Sequence, residues 1–172
     1  MKKTELDLVD ALFSARHLGT GYASCLEWAA ERIAEGDSSP ALRALAGREP
    51  GDATVIRKDC ELILGMDAIA DQDMVLEWAG RYLAKAGRLF AEGSLGLERI
   101  QGPIAKITEL LGKPDWLVIL ARNCEYASGL PAYRAAFEAE LKYLSRLWSH
   151  SPGIEDFLRA YDQRVSSKHN PV

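Results

Sequence analysis

The chain has 172 residues, a formal charge of −4 and a pI near 5.4, and it is 48% hydrophobic and 27% charged. That length and composition describe an ordinary folded domain, with no need of a disulfide scaffold and no tract that calls for disorder. The acidic balance offers no positive field to a phosphate backbone, which sets nucleic acid aside, and no window nears the roughly 20 apolar residues that span a membrane.

The opening MKKTELDLVDALF starts basic, but Glu5, Asp7 and Asp10 interrupt the apolar region of a signal peptide, so the expected location is cytoplasmic. Leu6, Val9, Leu12 and Phe13 keep the i, i+3, i+4 spacing of an amphipathic helix that Thr4 could cap and Gly19 could end. A second helix from about Gly21 carries Tyr22, Leu26, Ala29 and Ile33 on one stripe, widened by Cys25 and Trp28. Its outer face carries Glu27, Glu31 and Glu35.

Gly36 supplies a left-handed stop, and Ser39-Pro40 is a cap followed by proline at the first helical position. Leu42, Leu45 and Ala46 face inward on the short helix that follows, and Asp52 is the expected cap of the next, whose apolar side is Val55, Ile56, Cys60, Ile63 and Leu64. Asp71 and Asp73 suit the start of a fifth helix. Within it Val75, Trp78, Ala79, Leu83 and Ala86 turn inward, while Arg81, Lys85 and Arg88 form a basic edge.

Gly93 and Gly96 permit a turn. Leu97, Ile100, Ile104, Ile107 and Leu111 then keep helical spacing across Pro103, which predicts either a turn and a helix from Pro103 or one kinked helix. After Gly112-Lys113-Pro114, Asp115 caps or opens a seventh helix with Trp116, Ile119, Leu120 and Cys124 inward. Tyr133, Phe137, Leu141, Leu144 and Trp148 stripe an eighth, whose outer ladder of Arg134, Glu138, Lys142 and Arg146 has Glu138 and Lys142 in the favourable order. Ser149 to Gly153 reads as a turn, and Ile154, Phe157, Leu158, Tyr161 and Val165 form a last helix.

No segment alternates with a period of two. The expected fold is all-α, a single-domain bundle of about eight helices over residues 1–165 with a frayed tail over 166–172. Leu76-Glu77-Trp78-Ala79 repeats Leu26-Glu27-Trp28-Ala29, which leaves open a construction from related helical hairpins, although a solenoid would want at least three copies.

The search for chemistry excludes more than it finds. Cys25, Cys60 and Cys124 are an odd number, widely separated, and read as reduced core thiols. His17, His150 and His169 lack the spacing of a metal site, and His17 and His150 at helix ends suit imidazolium against the negative dipole. The glycines of GRLFAEGS and Gly93-Ser94-Leu95-Gly96 lack the lysine of a phosphate loop and the leading glycine and strand of a nucleophile elbow. No catalytic residue, metal or cofactor is therefore assigned. Glu27, Glu31 and Glu35 repel along one helix edge and Arg81, Lys85 and Arg88 along another by a few tenths of a kcal/mol per pair. Either the two stripes face each other, or the acidic one docks a basic partner, or both are simply solvated; these six are the candidate partner-binding residues.

The words GYASCLEWA, EGDSSPALRALAG, LEWAGRYLAKAG and NCEYASGLPAYRAAFEAELKYLSRLW, spanning most of Gly21 to Trp148, resemble an uncharacterised family of bacterial all-helical proteins. The Asp37-Ser38-Ser39-Pro40 turn departs from that pattern by one inserted serine. The resemblance implies a helical fold and a bacterial origin, and it carries over no catalytic residue. The expected function is non-enzymatic: binding another protein or a second copy as a homodimer, an immunity-type inhibitor of a toxin being one concrete form. The alternatives are a small enzyme with a dispersed carboxylate site around Glu27, Glu77 and Glu125-Tyr126, and a structural self-associating subunit.

Overall fold

A computed structural model describes the backbone over residues 3–65, 72–151 and 153–169, and the side chains over 5–65, 73–151 and 153–163. Among the described residues the protein is all-α, with nine α-helices and no strand. The expected cap Asp71 and the last three residues lie outside them. The chain divides into two compact units, Met1–Val75 and Leu76–Val172, described in turn.

The first unit holds α1 (Lys3–Phe13), α2 (Ala23–Ala34), α3 (Pro40–Ala46) and α4 (Ala53–Leu64). Thr4 lies inside α1 rather than capping it, and a π-helical turn, Ser14–Leu18, extends α1 to the expected stop at Gly19, whose φ is 74°. Leu8 and Leu12 of α1, Cys25 and Ala29 of α2, Leu42 and Leu45 of α3, and Ile56 and Cys60 of α4 form one buried cluster. Each leucine or isoleucine so buried contributes about 1.5–3 kcal/mol. Leu6, expected inward, is only half-buried while Leu8 is fully buried, and Val55 of α4 is exposed. Val9, Leu12 and Phe13 are buried as expected, and only the first position of the stripe on α1 moves, from Leu6 to Leu8.

The joint between α2 and α3 is specified residue by residue. Gly36 takes a φ of 99°, and the Asp37 N–H donates back to the Arg32 carbonyl (3.0 Å), closing α2 in a left-handed stop. Asp37 Oδ1 accepts from the Ser39 N–H (3.2 Å), Ser39 Oγ accepts from the Leu42 N–H (3.3 Å), and Pro40 opens α3. Asp52 stands at the N-cap of α4 without a side-chain cap bond. Arg48 Nε donates to Asp59 Oδ2 (2.8 Å), tying the end of α3 to α4. Ser39→Ala removes an acceptor that nothing else replaces, so a loss of about 1 kcal/mol is expected in urea unfolding. Asp52→Ala, with no cap bond to lose, should cost less.

The second unit holds α5 (Gln72–Ala91, its first residues belonging to the first unit), α6 (Leu97–Leu110), α7 (Asp115–Tyr126), α8 (Pro131–His150) and α9 (Ile154–His169). Trp78, Ala79, Leu83 and Ala86 are buried as the spacing predicts. α5 and α8 run antiparallel: Gly80 faces Trp148, the Ser145 hydroxyl donates to the Ala84 carbonyl (3.0 Å), Gly87 faces Ser145, and Phe90 meets Phe137 edge-on at 5.5 Å. α6 passes through Pro103 without a break, so the single-helix alternative is the one adopted. Gly102, just before the proline, lacks the Cβ that would disfavour a helical conformation there. Phe157 of α9 sits between Trp116 of α7 and Trp148 of α8, 5.0 Å from each. Trp116 is thus core and Trp148 half-buried.

Two further expectations are corrected. Glu138 pairs with Arg134 (Nε to Oε1, 3.1 Å), not with Lys142. α8 continues through His150, whose Nδ1 donates to the Arg146 carbonyl (2.7 Å), where a turn from Ser149 was expected. α9 runs in backbone from Ile154 to His169.

Candidate functional site

The six residues singled out by charge fall in two sets on separate helices, each answered along its own helix. Glu27 and Glu31 are exposed on α2, and Glu35, exposed just past its end, pairs with Arg32. Arg81 is half-buried on α5 and stands 3.7 Å from Glu77, while Lys85 and Arg88 are exposed. Pairs of this i, i+3 or i, i+4 kind relieve the repulsion along a stripe by a few tenths of a kcal/mol. The two copies of Leu-Glu-Trp-Ala place Ala29 and Ala79 fully inside and Glu27 and Glu77 outside, but Trp78 is fully buried and Trp28 only half.

His17 departs from its expected role. Its ring packs against Phe13, with centroids 5.4 Å apart, and burial, helped by the adjacent Arg16, lowers its pKa. It therefore stays a neutral imidazole near pH 7, not an imidazolium matched to a helix end. Among the described residues no three His, Cys, Asp or Glu side chains gather as metal ligands, and the side chain of His169 lies outside them.

Two concave places lie within the second unit. One, of about 460 Å³, opens between the end of α5, the Gly93–Gly96 turn and α8, with Phe90, Leu95 and Leu141 beneath Arg134, Glu138 and Lys142. The other, of about 510 Å³, is a groove between α6 and α7. Glu27 and Glu77 line neither, and of the proposed carboxylate set only Glu125 borders the second.

The α6–α7 groove is built by a sharp connection. Gly112 and Lys113 both adopt left-handed conformations (φ 72° and 59°), and the Lys113 N–H donates to the Thr108 carbonyl (2.8 Å), so α7 folds straight back on α6. At the far end Gln101 Nε2 donates to the carbonyls of Cys124 and Glu125, 3.2 Å from each. The walls are Ala105, Thr108 and Glu109 on α6, and Val118, Ala121, Arg122 and Glu125 on α7, with Lys113 at the mouth.

α7 also carries the feature that spacing alone misplaced. Leu117 is buried beside Trp116, Leu120, Asn123 and Cys124, and Ile119, expected inward, points out. Val118 and Ile119 are each 43% exposed, Tyr126 is 46% and Leu130, just past the helix, 49%. Tyr126 rests against Tyr133, ring centroids 5.2 Å apart. Residues 118, 119, 122 and 126 fall on one side of a 3.6-residue helix, so this apolar face continues outward from the groove wall at Val118. The signal was in the sequence: Trp116 to Leu120 are five consecutive apolar residues, which encircle a helix and cannot all face one core.

Compared with known proteins, the chain matches no family model, no curated protein and no solved structure at a significant level.

Proposed function

We propose that this chain works without catalysis, by binding another protein through the outer face of α7 and the groove beside it. The observation that carries the reading is the group of Val118, Ile119 and Tyr126, large apolar side chains left open to water on one helix face next to a groove between two helices. Surface aromatics and aliphatics gathered in this way are the anchors that protein interfaces bury, and a groove between helices accepts the apolar side of a partner's helix. Glu109, Lys113, Arg122 and Glu125 around the groove supply a polar rim of both signs.

The net charge of −4 favours a basic partner, since opposite fields speed and orient encounter. The exposed Glu27, Glu31 and Glu35 contribute to that charge. With the bacterial resemblance of the sequence, the concrete form we favour is a cytoplasmic inhibitor of a toxin encoded beside its own gene. A structural subunit that pairs with itself through α7 is the second reading, supported by the same exposed side chains.

Purified chain and the product of the neighbouring gene should form a complex in size-exclusion chromatography and titration calorimetry. In the double variant Ile119→Asp, Tyr126→Ser, binding should fall by about thirtyfold or more, because two buried anchors are lost and a charge is put in their place. Unfolding should move by only about 1 kcal/mol, less than a core substitution costs, since Ile119 and Tyr126 are nearly half exposed in the free protein. If wild-type chain sediments as a dimer that the variant breaks, the self-pairing reading holds; if wild type and variant behave alike in both measurements, α7 is not an interface.

A further inference from the structure

The hollow of about 460 Å³ at the end of α5 is separate from the α7 face and its groove, and its size falls within the roughly 300–1,000 Å³ of small-molecule sites. Its walls are fixed before anything enters. The Ser94 and Leu95 N–H groups both donate to the Leu89 carbonyl (2.9 and 3.1 Å), which holds the turn after α5, and Gly93 and Gly96 leave that wall as bare backbone. Gly87 against Ser145 and Phe90 against Phe137 set the register of α5 on α8. Moving along α5 to the turn is therefore moving back along α8 to Arg134, and Lys142 stands at the opposite end, eight residues or about 12 Å of helix away.

Floor and rim differ in character. Leu141 is buried and Phe90 and Leu95 are half-buried, so the floor offers aliphatic and aromatic surface to whatever lies in the hollow. The charged side chains of the lining stand on successive turns of α8, at Arg134, Glu138 and Lys142. Arg134 and Glu138 form a pair (Nε to Oε1, 3.1 Å) and largely cancel, so Lys142 sets the sign of the rim. At the turn end the Glu98 carboxylate folds back beside Gly96 and repels an anion there. The Lys142 end is the one that attracts it.

We propose that this hollow binds an amphipathic monocarboxylate, an acyl chain of medium length with its carboxylate on Lys142 and its chain over Phe90 and Leu95 toward the turn. Charge complementarity selects the head group and the floor selects the tail. An organic cation would meet the Lys142 ammonium, an inorganic anion would leave the apolar floor to water, and a neutral chain would gain nothing from the ammonium. Only a ligand with both parts is answered along the whole length of the hollow. The site lies outside the α7 interface, so its failure would leave that reading standing.

The test titrates the full chain with sodium decanoate, below its micelle concentration, by calorimetry and heteronuclear NMR. The expected result is one decanoate per chain, with the largest shifts at Phe90, Leu95 and Leu141. Decanol, the same chain without the charge, should bind wild type about tenfold more weakly. Lys142→Glu should weaken decanoate by about tenfold or more and leave decanol within about twofold, because a charge-assisted bond is lost and a repulsion takes its place. Ala91→Trp, at an exposed position of the wall, should fill the hollow and abolish the binding of both. Lys142 is exposed as well, so neither substitution disturbs the core. The proposal is overturned if wild type takes no decanoate, if it takes decanol as well as decanoate, or if the shifts gather at Val118, Ile119 and Tyr126 instead; these three readouts use wild type and do not depend on how the variants fold.

Discussion

Trp78→Ala is expected to destabilise the protein by about 3–5 kcal/mol, seen as a lower urea midpoint, whereas Trp28→Ala should cost about half as much. The two tryptophans occupy the same place in the repeated Leu-Glu-Trp-Ala, so local sequence gives no reason for the difference. Burial does. Trp78 is 0% exposed, the largest fully buried side chain described, with the Tyr82 ring one turn on at 5.9 Å. Removing it forfeits the transfer energy of the whole indole and leaves a void that a helix fixed on its neighbours cannot collapse. Trp28 only packs against the edge of the first unit's cluster, where water can take the place of the lost ring. Equal costs for the two substitutions would mean that burial does not set these energies.

That contrast marks where sequence ceases to determine position. Local chemistry was legible: the glycine stop at Gly36, the Ser39-Pro40 start, and the inward set Trp78, Ala79, Leu83 and Ala86 all stand where spacing and capping rules put them. These features depend on a few adjacent residues and on backbone bonds that must be satisfied somewhere. What failed depends on neighbours distant in the chain. Leu6 against Leu8 and Ile119 against Leu117 are single exchanges at the margin of stripes whose other residues are buried as expected, and helices rich in apolar residues leave such a margin to whichever surface they meet. That Cys25 and Cys60 share one buried cluster had no signal, because nothing in either segment encodes the packing of α2 and α4 about a common core. The candidate site suffered in the same way. Charge stripes are conspicuous in a sequence, but Arg32 and Glu77 answer them within single turns, while the apolar face of α7 was hidden inside a run that looked like core.

Replacing both Gly80 and Gly87 by alanine is expected to cost about 2–4 kcal/mol, against the helix propensity rule that predicts a gain of roughly 0.5–1 kcal/mol at each site. The sign follows from what a methyl group would meet. At Gly80 a Cβ would stand 2.4 Å from three atoms of the Trp148 indole, and at Gly87 it would stand 2.8 Å from the Ser145 Cβ. The indole could swing aside only by giving up its contact with Phe157, and a Cβ cannot swing at all, so at Gly87 the backbones of α5 and α8 must separate. Separation also stretches the bond from the Ser145 hydroxyl to the Ala84 carbonyl. Overpacking of this kind costs about 1–3 kcal/mol per site, enough to outweigh the propensity gain. The decisive comparison moves the methyl from one helix to the other. Gly87→Ala combined with Ser145→Gly should recover part of the loss, with a coupling energy of about 0.5–3 kcal/mol in a double-mutant cycle, while Ser145→Ala, which removes the Oγ at 2.9 Å but keeps the Cβ at 2.8 Å, should recover less. Were Ser145→Ala to rescue Gly87→Ala as well as Ser145→Gly does, the close approach of the two helices at this point would not be what the glycine is there to permit.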